Sequence, residues 1–216
     1  MKPVLITQRV ETVPEYGERR DALDQRWVGL LAKVGLVPVA VPNKIDSSGL
    51  RGLLSLPGLA GVILTGGASL VEYGGATPER DALERELIAN ALESRTPLLG
   101  VCRGLQVLLT YFGAALDVIE GHVAVRHGLS VCGKGAFADR LRPLRDVNSY
   151  HDLCARSLDA PLRVVAKADD GTIEAVEHSD APLAGIMWHP ERAETPSDPD
   201  LDMLAWFFGA RPGEAA

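Results

Sequence analysis

The stretch from Pro97 to Gly113 constrains the fold of this chain more than any other. Residues 97–101 are a short apolar run, typical of a buried parallel strand, and apolar residues at helical spacing follow. Between them, Gly-Val-Cys-Arg-Gly at 100–104 predicts a sharp strand-to-helix turn with Cys102 at its apex. We call this turn, residues 100–104, the elbow. Unpaired N–H groups and the dipole at the start of that helix favour a thiolate. A buried, inert cysteine at a strand end is the competing interpretation.

A histidine far along the chain offers this cysteine a partner. Trp-His-Pro-Glu at 188–191 follows the apolar run 183–187, which predicts a strand that delivers His189 to an edge of the sheet. Glu191 is close enough in sequence to orient the imidazole, and the proline between them ends the strand. Because a lone histidine is usually structural, the combination of Cys102, His189 and Glu191 carries the prediction of a nucleophile, its base and an orienting carboxylate.

In this order the three residues resemble the triad of class I glutamine amidotransferases. The chain is most similar to the stand-alone gamma-glutamyl hydrolase branch of that superfamily, which is peptidase C26-like. The run Arg80-Asp81-x-x-Glu84 and the segment 97–104 look like the corresponding segments of those hydrolases. The resemblance implies cleavage of a small-molecule gamma-glutamyl amide through a cysteine thioester, with release of glutamate and no cofactor.

A third part of the site is the turn Thr-Gly-Gly at 65–67, after an apolar strand predicted at 61–64. Adjacent glycines let the backbone approach a ligand closely, and amides placed there stabilise an oxyanion, although a double glycine alone is only a turn. The resemblance implies that the amides of Gly67 and Arg103 form the oxyanion hole, with Gly66 among the substrate-binding residues.

The resemblance also places residues 147–151 around the glutamyl head group. Asn148, Ser149 and Tyr150 carry side chains that can bond a carboxylate or an ammonium group. The resemblance implies that Gln106, one helical turn beyond Cys102, contacts the alpha-carboxylate or the amide of the substrate. The alternative for Gln106 is a polar helix residue with no substrate contact.

The N-terminal segment narrows the resemblance. Ile-Thr-Gln-Arg at 6–9, with the residues around 16–27, looks like a small branch that includes gamma-glutamyl-CDP-amidate hydrolases. Arg9 follows the first predicted strand, at the carboxyl edge where open α/β sheets bind ligands. It is therefore expected to meet an anionic leaving group such as a phosphate, and a surface salt bridge is the alternative.

Alternating apolar segments predict an α/β fold with a doubly wound, mostly parallel central sheet, helices on both faces and a small antiparallel addition. Charged residues of the third predicted helix, including Glu84 and Glu86, are expected to lie largely off its apolar face. The predicted strands are 4–7, 37–41, 61–64, 97–101, 115–119, 127–131, 163–168, 173–178 and 184–188, and the predicted helices are 18–35, 48–56, 78–95 and the one after Cys102.

With 216 residues and 46% hydrophobic content, the chain is expected to form a single domain over 1–216, with a flexible tail at 211–216. The net charge of -7 gives no reason to expect nucleic-acid or membrane binding. The sequence shows no signal peptide and no apolar run of membrane-spanning length, so a cytoplasmic location is expected. The apolar residues 206–208, expected to be exposed, leave a homodimer open.

No metal is expected, because the cysteines lack ligand spacing and the chain shows no convincing set of ligands. His122 and His127 are assigned a structural or solvent role. Two alternatives to a stand-alone hydrolase remain open. One is a glutaminase subunit that passes ammonia to a separate synthetase partner, and the other is a catalytically inactive binding module on the same fold.

Overall fold

The computed structural model describes residues 1–210, and the tail predicted at 211–216 lies outside them. The strands are β1 (Lys2–Thr7), β2 (Arg9–Thr12), β3 (Arg19–Ala22), β4 (Leu36–Val41), β5 (Gly61–Leu64), β6 (Leu98–Val101), β7 (Asp117–Val118), β8 (Val123–Gly128), β9 (Ser130–Val131), β10 (Asp146–Tyr150), β11 (Leu153–Cys154), β12 (Leu162–Lys167), β13 (Ile173–His178) and β14 (Leu183–Ile186). The α-helices are α1 (Arg26–Lys33), α2 (Ser47–Leu54), α3 (Pro78–Ser94), α4 (Arg103–Tyr111), α5 (Ala136–Leu141) and α6 (Asp198–Phe207). Over residues 1–210 no helix has the length and apolar character needed to cross a bilayer.

Eight strands form the central sheet in the order β4-β1-β5-β6-β14-β13-β12-β9. The first five are parallel to one another, and β13, β12 and β9 continue the sheet antiparallel. Three small antiparallel pairs, β2 with β3, β7 with β11 and β8 with β10, complete the sheet structure. The predicted mostly parallel sheet with an antiparallel addition is therefore confirmed.

Both faces of the sheet are covered by helices. Val4 and Ile6 of β1 pack into one hydrophobic cluster with α1, α5 and α6, whereas Leu5 packs into a second cluster with α2, α3 and α4. Successive residues of a strand point to opposite faces, so a strand covered on both sides needs an unbroken apolar sequence. This is why the central strands were recognisable as continuous apolar runs.

The parallel strands β5, β6 and β14 bring the site segments to one edge of the sheet. Leu64 pairs with Gly100, and Ile186 pairs with Val101, so the three strands end at nearly the same level. The turn after β5, the elbow after β6 and the segment after β14 therefore lie side by side. This edge is where ligands bind in open α/β sheets.

The helix predicted over residues 18–35 is wrong in its first part. Residues 19–22 form β3, which pairs with β2 in a hairpin, and the helix α1 begins only at Arg26. The hairpin is anchored by Asp21, whose carboxylate accepts hydrogen bonds from the backbone and side-chain amides of Asn43. The apolar pattern of the sequence predicts the helix only from Trp27 onward. The hairpin depends on hydrogen bonds to Asn43, which is distant in the sequence.

The second half of the chain differs from the prediction in detail. The strands predicted at 163–168, 173–178 and 184–188 are present with ends within two residues, but 115–119 shrinks to β7. The strand predicted at 127–131 divides into β8, which pairs with β10, and β9, which pairs with β12. Neither α5 nor α6 was anticipated from the sequence, although Ser197 caps α6 by accepting from the Asp200 amide.

The apolar residues at 206–208 are not all exposed, as the sequence suggested. Trp206 is 39% exposed, with the Arg140 guanidinium 4.5 Å from its ring centroid, but Phe208 is only 3% exposed. Phe208 packs directly on the start of β5, where a Cβ added to Gly61 would lie 2.8 Å from its ring. Phe208 is thus a core residue that fastens the end of α6 to the sheet.

We expect Phe208→Ala to lower the free energy of unfolding by about 3–5 kcal/mol, because the truncation leaves a cavity beside β5. Trp206→Ala is the matched control on the same turn and should cost clearly less, since its ring is partly exposed. Urea unfolding followed by circular dichroism measures both. Equal losses in the two variants would contradict this assignment of Phe208 to the core.

Candidate active site

Cys102 occupies the apex of a strained turn between β6 and α4. Its backbone has φ 52° and ψ -107°, a conformation that residues with a side chain rarely adopt. The flanking glycines are required by close contacts: a Cβ on Gly104 would lie 2.1 Å from the Leu64 carbonyl oxygen, and one on Gly100 would lie 2.5 Å from the Gly104 carbonyl oxygen. The helix can therefore start directly against β5 and β6, and the thiol is held at the sheet edge.

The His189 ring lies at the same edge, after β14. Its Nδ1 is 2.6 Å from Glu191 Oε1, and both side chains are almost fully buried. The other ring nitrogen, Nε2, is buried without a hydrogen-bond partner among the described residues. The carboxylate thus fixes one nitrogen and leaves Nε2 to exchange protons at the site.

Gly66 shows how closely the cysteine and the histidine converge. A Cβ added to Gly66 would lie 2.5 Å from His189 Cε1, 3.4 Å from His189 Nε2 and 3.4 Å from Cys102 Cβ. The two catalytic candidates therefore lie on either side of the same glycine backbone. Any side chain at this position would push the imidazole away.

The pKa of His189 reflects this neighbourhood. Burial lowers the pKa, but the Cys102 sulfur and the Glu191 carboxylate together raise it by more, to about 9 from an ordinary value of 6.5. The folded protein therefore favours the imidazolium at neutral pH.

Asn148 holds the backbone of His189 in place. Its side-chain nitrogen donates to the His189 carbonyl oxygen at 2.8 Å, and its side-chain oxygen accepts from the His189 amide at 2.8 Å. Asn148 was expected to contact substrate, but both of its amide atoms are used in this clamp. Its place on β10, directly beside the segment after β14, explains the difference, and Asn148 is a positioning residue for the imidazole.

Two other residues of the predicted head-group segment have different environments. Ser149 is fully buried and its hydroxyl donates to the His122 carbonyl oxygen at 2.6 Å. Tyr150 is 40% exposed and its ring meets His189 edge to face, with 5.7 Å between centroids. Of the two side chains, the structure leaves only Tyr150 at the rim of the site.

The turn at 65–67 presents its carbonyl groups to one buried cation. The Arg80 guanidinium donates to the carbonyl oxygens of Thr65 at 2.7 Å, Gly66 at 3.2 Å and Gly67 at 2.7 Å. With these carbonyls occupied on one side, no acceptor for the Gly67 N–H is found within residues 1–210. The Arg103 amide is at the first position of α4, where a helix N–H has no intrahelical acceptor.

Arg80 belongs to a buried charge network that joins the turn to the elbow. Glu84 Oε1 accepts from Arg80 Nε at 2.9 Å and from the Thr7 hydroxyl at 2.8 Å, and the Arg103 side chain pairs with Glu84 and Asp81. Although burial raises the pKa of Glu84, Arg80 and Arg103 lower it below its usual value.

The expectation that Glu84 lies on a solvated face of α3 is wrong. Glu84 and Arg80 are completely buried, because their charges are paired with residues that come from other parts of the chain. From the sequence, Arg80 contributed only to the family resemblance and was given no place in the site. Its Arg-x-x-x-Glu spacing on α3 is also compatible with an ordinary surface pair.

The remaining substrate candidates are Gln106 and Arg9. Gln106 is buried, and its side-chain nitrogen donates to the Leu153 carbonyl oxygen at 2.9 Å, so it anchors α4 to β11. Arg9 pairs with Glu11, with 2.9 Å between Nε and Oε1, which is the salt bridge that the alternative predicted. Its aliphatic stem nevertheless lies beside Gly67, where an added Cβ would be 3.4 Å from Arg9 Cδ.

Arg9 also lines a small cleft that Gly66 and Glu191 border as well. The other lining residues come from β3, α1, the turn at 65–67 and the segment after His189, and they are Ala22, Leu23, Asp24, Trp27, Thr65, Gly66, Glu191 and Arg192. Two arginines, Arg9 and Arg192, thus border one cleft at the sheet edge.

No metal was expected from the sequence, which shows no convincing set of ligands. In the structure His122 and His127, assigned a structural or solvent role, meet His151 and Glu174 in one cluster. The four positions have no regular spacing in the sequence, and only the pairing of β8 with β10 over β13 brings them together.

This topology, with a cysteine elbow after one parallel strand and a His-x-Glu segment after its neighbour, defines the class I glutamine amidotransferase-like proteins. A protein of Thermoplasma acidophilum assigned as a GMP synthase subunit has the same fold, with a TM-score of 0.72 and 21% identity over 97% of this chain and 93% of that one. Residues 4–191 match the Peptidase C26 family, and the chain belongs to that family.

Curated relatives agree with this assignment. The chain is 33% identical over 192 residues to the gamma-glutamyl-CDP-amidate hydrolase of Campylobacter jejuni, covering 87% of this chain and 88% of the relative. It is 32% identical over 205 residues to the gamma-glutamyl-gamma-aminobutyrate hydrolase of Escherichia coli O157:H7, covering 81% of this chain and 80% of the relative. The resemblance to the gamma-glutamyl hydrolase branch is therefore confirmed.

The raised pKa of His189 leads to a pH prediction. Because the folded pKa of about 9 exceeds the ordinary 6.5, this group contributes stability that is complete below pH 6.5 and is lost as the pH rises through 9. Glu191→Gln removes one of the groups that raise the pKa, so the His189 titration should move to lower pH. NMR titration of the imidazole measures the shift.

His178 is the internal control for this titration, because burial lowers its pKa and Glu191 is not among its neighbours. It should titrate below 6.5 in both proteins. A wild-type His189 that also titrates below 6.5 would contradict the assignment.

The buried network leads to a stability prediction. We expect Glu84→Ala to destabilise the fold by about 3–5 kcal/mol, since two buried guanidinium groups lose a shared partner. Glu86→Ala, at an exposed position of the same helix, should change stability by no more than about 0.5 kcal/mol. Denaturant unfolding compares the two, and a small loss for Glu84→Ala would show that the network is not a stabilising element.

Proposed function

We propose that this protein is a stand-alone gamma-glutamyl amide hydrolase with Cys102 as its nucleophile. The observation that carries the proposal is the convergence of Cys102 and His189 on the backbone of Gly66, with Glu191 bonded to the far side of the imidazole. Membership of the Peptidase C26 family and the activities for which the two curated relatives are named support the same reaction class.

In the first half of the proposed reaction, the Cys102 thiolate attacks the δ-carbonyl carbon of the gamma-glutamyl group. The carbonyl oxygen becomes an oxyanion and accepts hydrogen bonds from the Gly67 and Arg103 amides. As the C–N bond breaks, His189 Nε2 gives its proton to the leaving amine. The products of this half are a free amine and a glutamyl thioester on Cys102.

In the second half, His189 Nε2 takes a proton from water, and the hydroxide formed attacks the thioester carbon. The C–S bond then breaks, which returns the thiolate and releases glutamate. Glu191 keeps the Nδ1 proton in place, so the same nitrogen serves as acid and then as base. No step requires a cofactor.

The environment of the turn at 65–67 supports the assignment of the oxyanion hole. Arg80 binds three successive carbonyl oxygens on one side of the turn, which leaves the opposite side for amide donors. Donors that are fixed before the reaction need no reorganisation when negative charge develops, and this is the main source of their catalytic effect.

The cleft suggests a narrower substrate class, a gamma-glutamyl group joined to a phosphate-bearing amine. Arg9 and Arg192 border the cleft beside the catalytic candidates, and a guanidinium group binds phosphate oxygens strongly. The relative from Campylobacter jejuni is named for such a substrate. In this proposal Arg9 exchanges Glu11 for the phosphate when substrate binds.

The central test is glutamate release from a panel of a gamma-glutamyl phosphoramidate nucleotide, gamma-glutamyl-aminobutyrate and glutamine. Wild type should release glutamate from at least one of them without a second protein, and Cys102→Ala should abolish release while near-UV circular dichroism shows an intact fold. Retained activity in Cys102→Ala would overturn the mechanism.

Two further readouts separate the alternatives. A gamma-glutamyl chloroketone should alkylate Cys102, seen as a mass increase on its peptide, and a protein that forms no adduct and releases no glutamate would be an inactive binding module. Glutamine turnover that starts only when a synthetase partner is added would instead identify a glutaminase subunit.

The phosphate role of Arg9 is tested on the same panel. Arg9→Ala should lower kcat/KM about 10- to 100-fold for the phosphoramidate alone, the size expected for a lost charge-assisted hydrogen bond. Arg20→Ala is the control, since this exposed arginine pairs with Glu18 on the same hairpin. An equal loss on all three substrates would exclude the phosphate role of Arg9.

A further inference from the structure

Four side chains outside the catalytic candidates point at one another beside the antiparallel pair of strands β8 and β10. His122 precedes β8, His127 lies on β8, His151 follows β10, and Glu174 lies on β13 of the central sheet. One ligand atom from each of them lies within 4.8 Å of all the others. From Glu174 Oε1, the distances are 3.4 Å to His151 Nε2, 3.6 Å to His127 Nε2 and 3.9 Å to His122 Nδ1.

The outer nitrogen of each ring is already paired. His127 Nδ1 is 3.0 Å from the Gly128 carbonyl oxygen, and His151 Nδ1 is 3.3 Å from the Leu153 carbonyl oxygen. A carbonyl oxygen can only accept, so both outer nitrogens carry the proton, and the inner nitrogen of each neutral ring has a free lone pair. His122 repeats the pattern, with its Nε2 3.2 Å from Asp170 Oδ2.

The inner atoms form no hydrogen bond among residues 1–210. The three inward nitrogens and both Glu174 oxygens are buried and lack a hydrogen bond to any of the described residues. Glu174 is 0% exposed and His151 is 3% exposed. Polar atoms buried in this way are nearly always satisfied, and a buried carboxylate in particular requires a compensating charge. The cluster therefore needs a positive group at its centre.

We propose that His122, His127, His151 and Glu174 bind a divalent transition-metal ion, with zinc as the best match. Three imidazole nitrogens and one carboxylate oxygen are standard zinc ligands, whereas calcium and magnesium require mainly oxygen. Tetrahedral coordination at 2.0–2.1 Å separates ligand atoms by about 3.3 Å, close to the distances measured from Glu174. Small inward movements of the rings would complete the shell.

The hydrogen bonds made by the outer nitrogens of the three rings are also those expected at a metal site. Metal-binding histidines almost always donate their other N–H to a carboxylate or a backbone carbonyl, which fixes the ring and its tautomer. Here Asp170 and two carbonyl oxygens have that position. With four protein ligands the site is closed, which is typical of a structural metal and not of a catalytic one.

The position of the site assigns it a structural task. It fastens the β8–β10 strand pair to β13, and β10 carries Asn148, whose side chain clamps the backbone of His189. A metal ion at this site would keep β10, and with it the Asn148 side chain, in position to bind the His189 backbone, although the ion itself lies outside the reaction centre. This inference does not depend on the proposed hydrolase activity.

A proton is the competing occupant. An imidazolium on one ring would neutralise Glu174 and donate to one of its oxygens. The other two inner nitrogens would still face the carboxylate as acceptors without donors. A metal ion would bind all four groups at once. The two possibilities therefore differ in the metal content of the protein, which can be measured.

The test measures metal in the full chain, purified without a histidine tag and without chelator. Mass spectrometry of the elements should give about one zinc per chain, and protein stripped with chelator should regain it from Zn²⁺. Co²⁺ added to the stripped protein should give the intense visible absorption of a tetrahedral centre, without thiolate charge-transfer bands. Protein that is isolated without metal and takes up neither ion would overturn the proposal.

Variants locate the ion. His151→Ala and Glu174→Gln should lose the metal, whereas Cys102→Ala and His178→Ala, both outside the cluster, should keep it. Asp170→Asn, at an exposed position, should weaken zinc affinity about 10- to 100-fold by altering the partner of His122. Loss of the metal in Cys102→Ala, or unchanged affinity in Asp170→Asn, would place the ion elsewhere and contradict the proposal.

Discussion

The pairing of one buried arginine determines how the two halves of the candidate site are held together. Arg80 cannot be solvated where it lies, so its guanidinium must be satisfied by the carbonyls of the turn at 65–67 and by Glu84. Glu84 in turn binds the side chain of Arg103, the residue after Cys102. An unpaired charge at this depth would cost several kcal/mol. The geometry of the turn and elbow is therefore tied to the stability of the fold itself.

The β8–β10 strand pair also supports the site. Through Asn148 it fixes the backbone of His189, and through the histidines on and next to its strands it meets Glu174 on the central sheet. The imidazole is thus supported by Glu191 on its ring and by this strand pair on its backbone. Both supports are polar and buried, which makes them directional in a way that apolar packing is not.

The parts of the molecule that could be predicted from sequence depend on local pattern. Continuous apolar runs identified the central strands, and the glycines around Cys102 identified the elbow, because each signal is contained in a few adjacent residues. Glu84, Asn148 and the histidine cluster could not be placed in this way. Their partners come from distant segments, and periodicity cannot distinguish a charged residue that faces water from one that faces a buried partner. The same limit explains the hairpin β2–β3, whose Asp21 is held by Asn43.

The imidazole of His189 has a single usable nitrogen, since Glu191 occupies Nδ1. In the proposed reaction His189 Nε2 must therefore donate a proton to the departing amine first and accept a proton from the incoming water afterwards. Water can be activated only after the amine has vacated that position. This imposes a ping-pong sequence in which the amine is the first product released and glutamate the second, and it makes premature hydrolysis of the bound amide by direct water attack geometrically unfavourable.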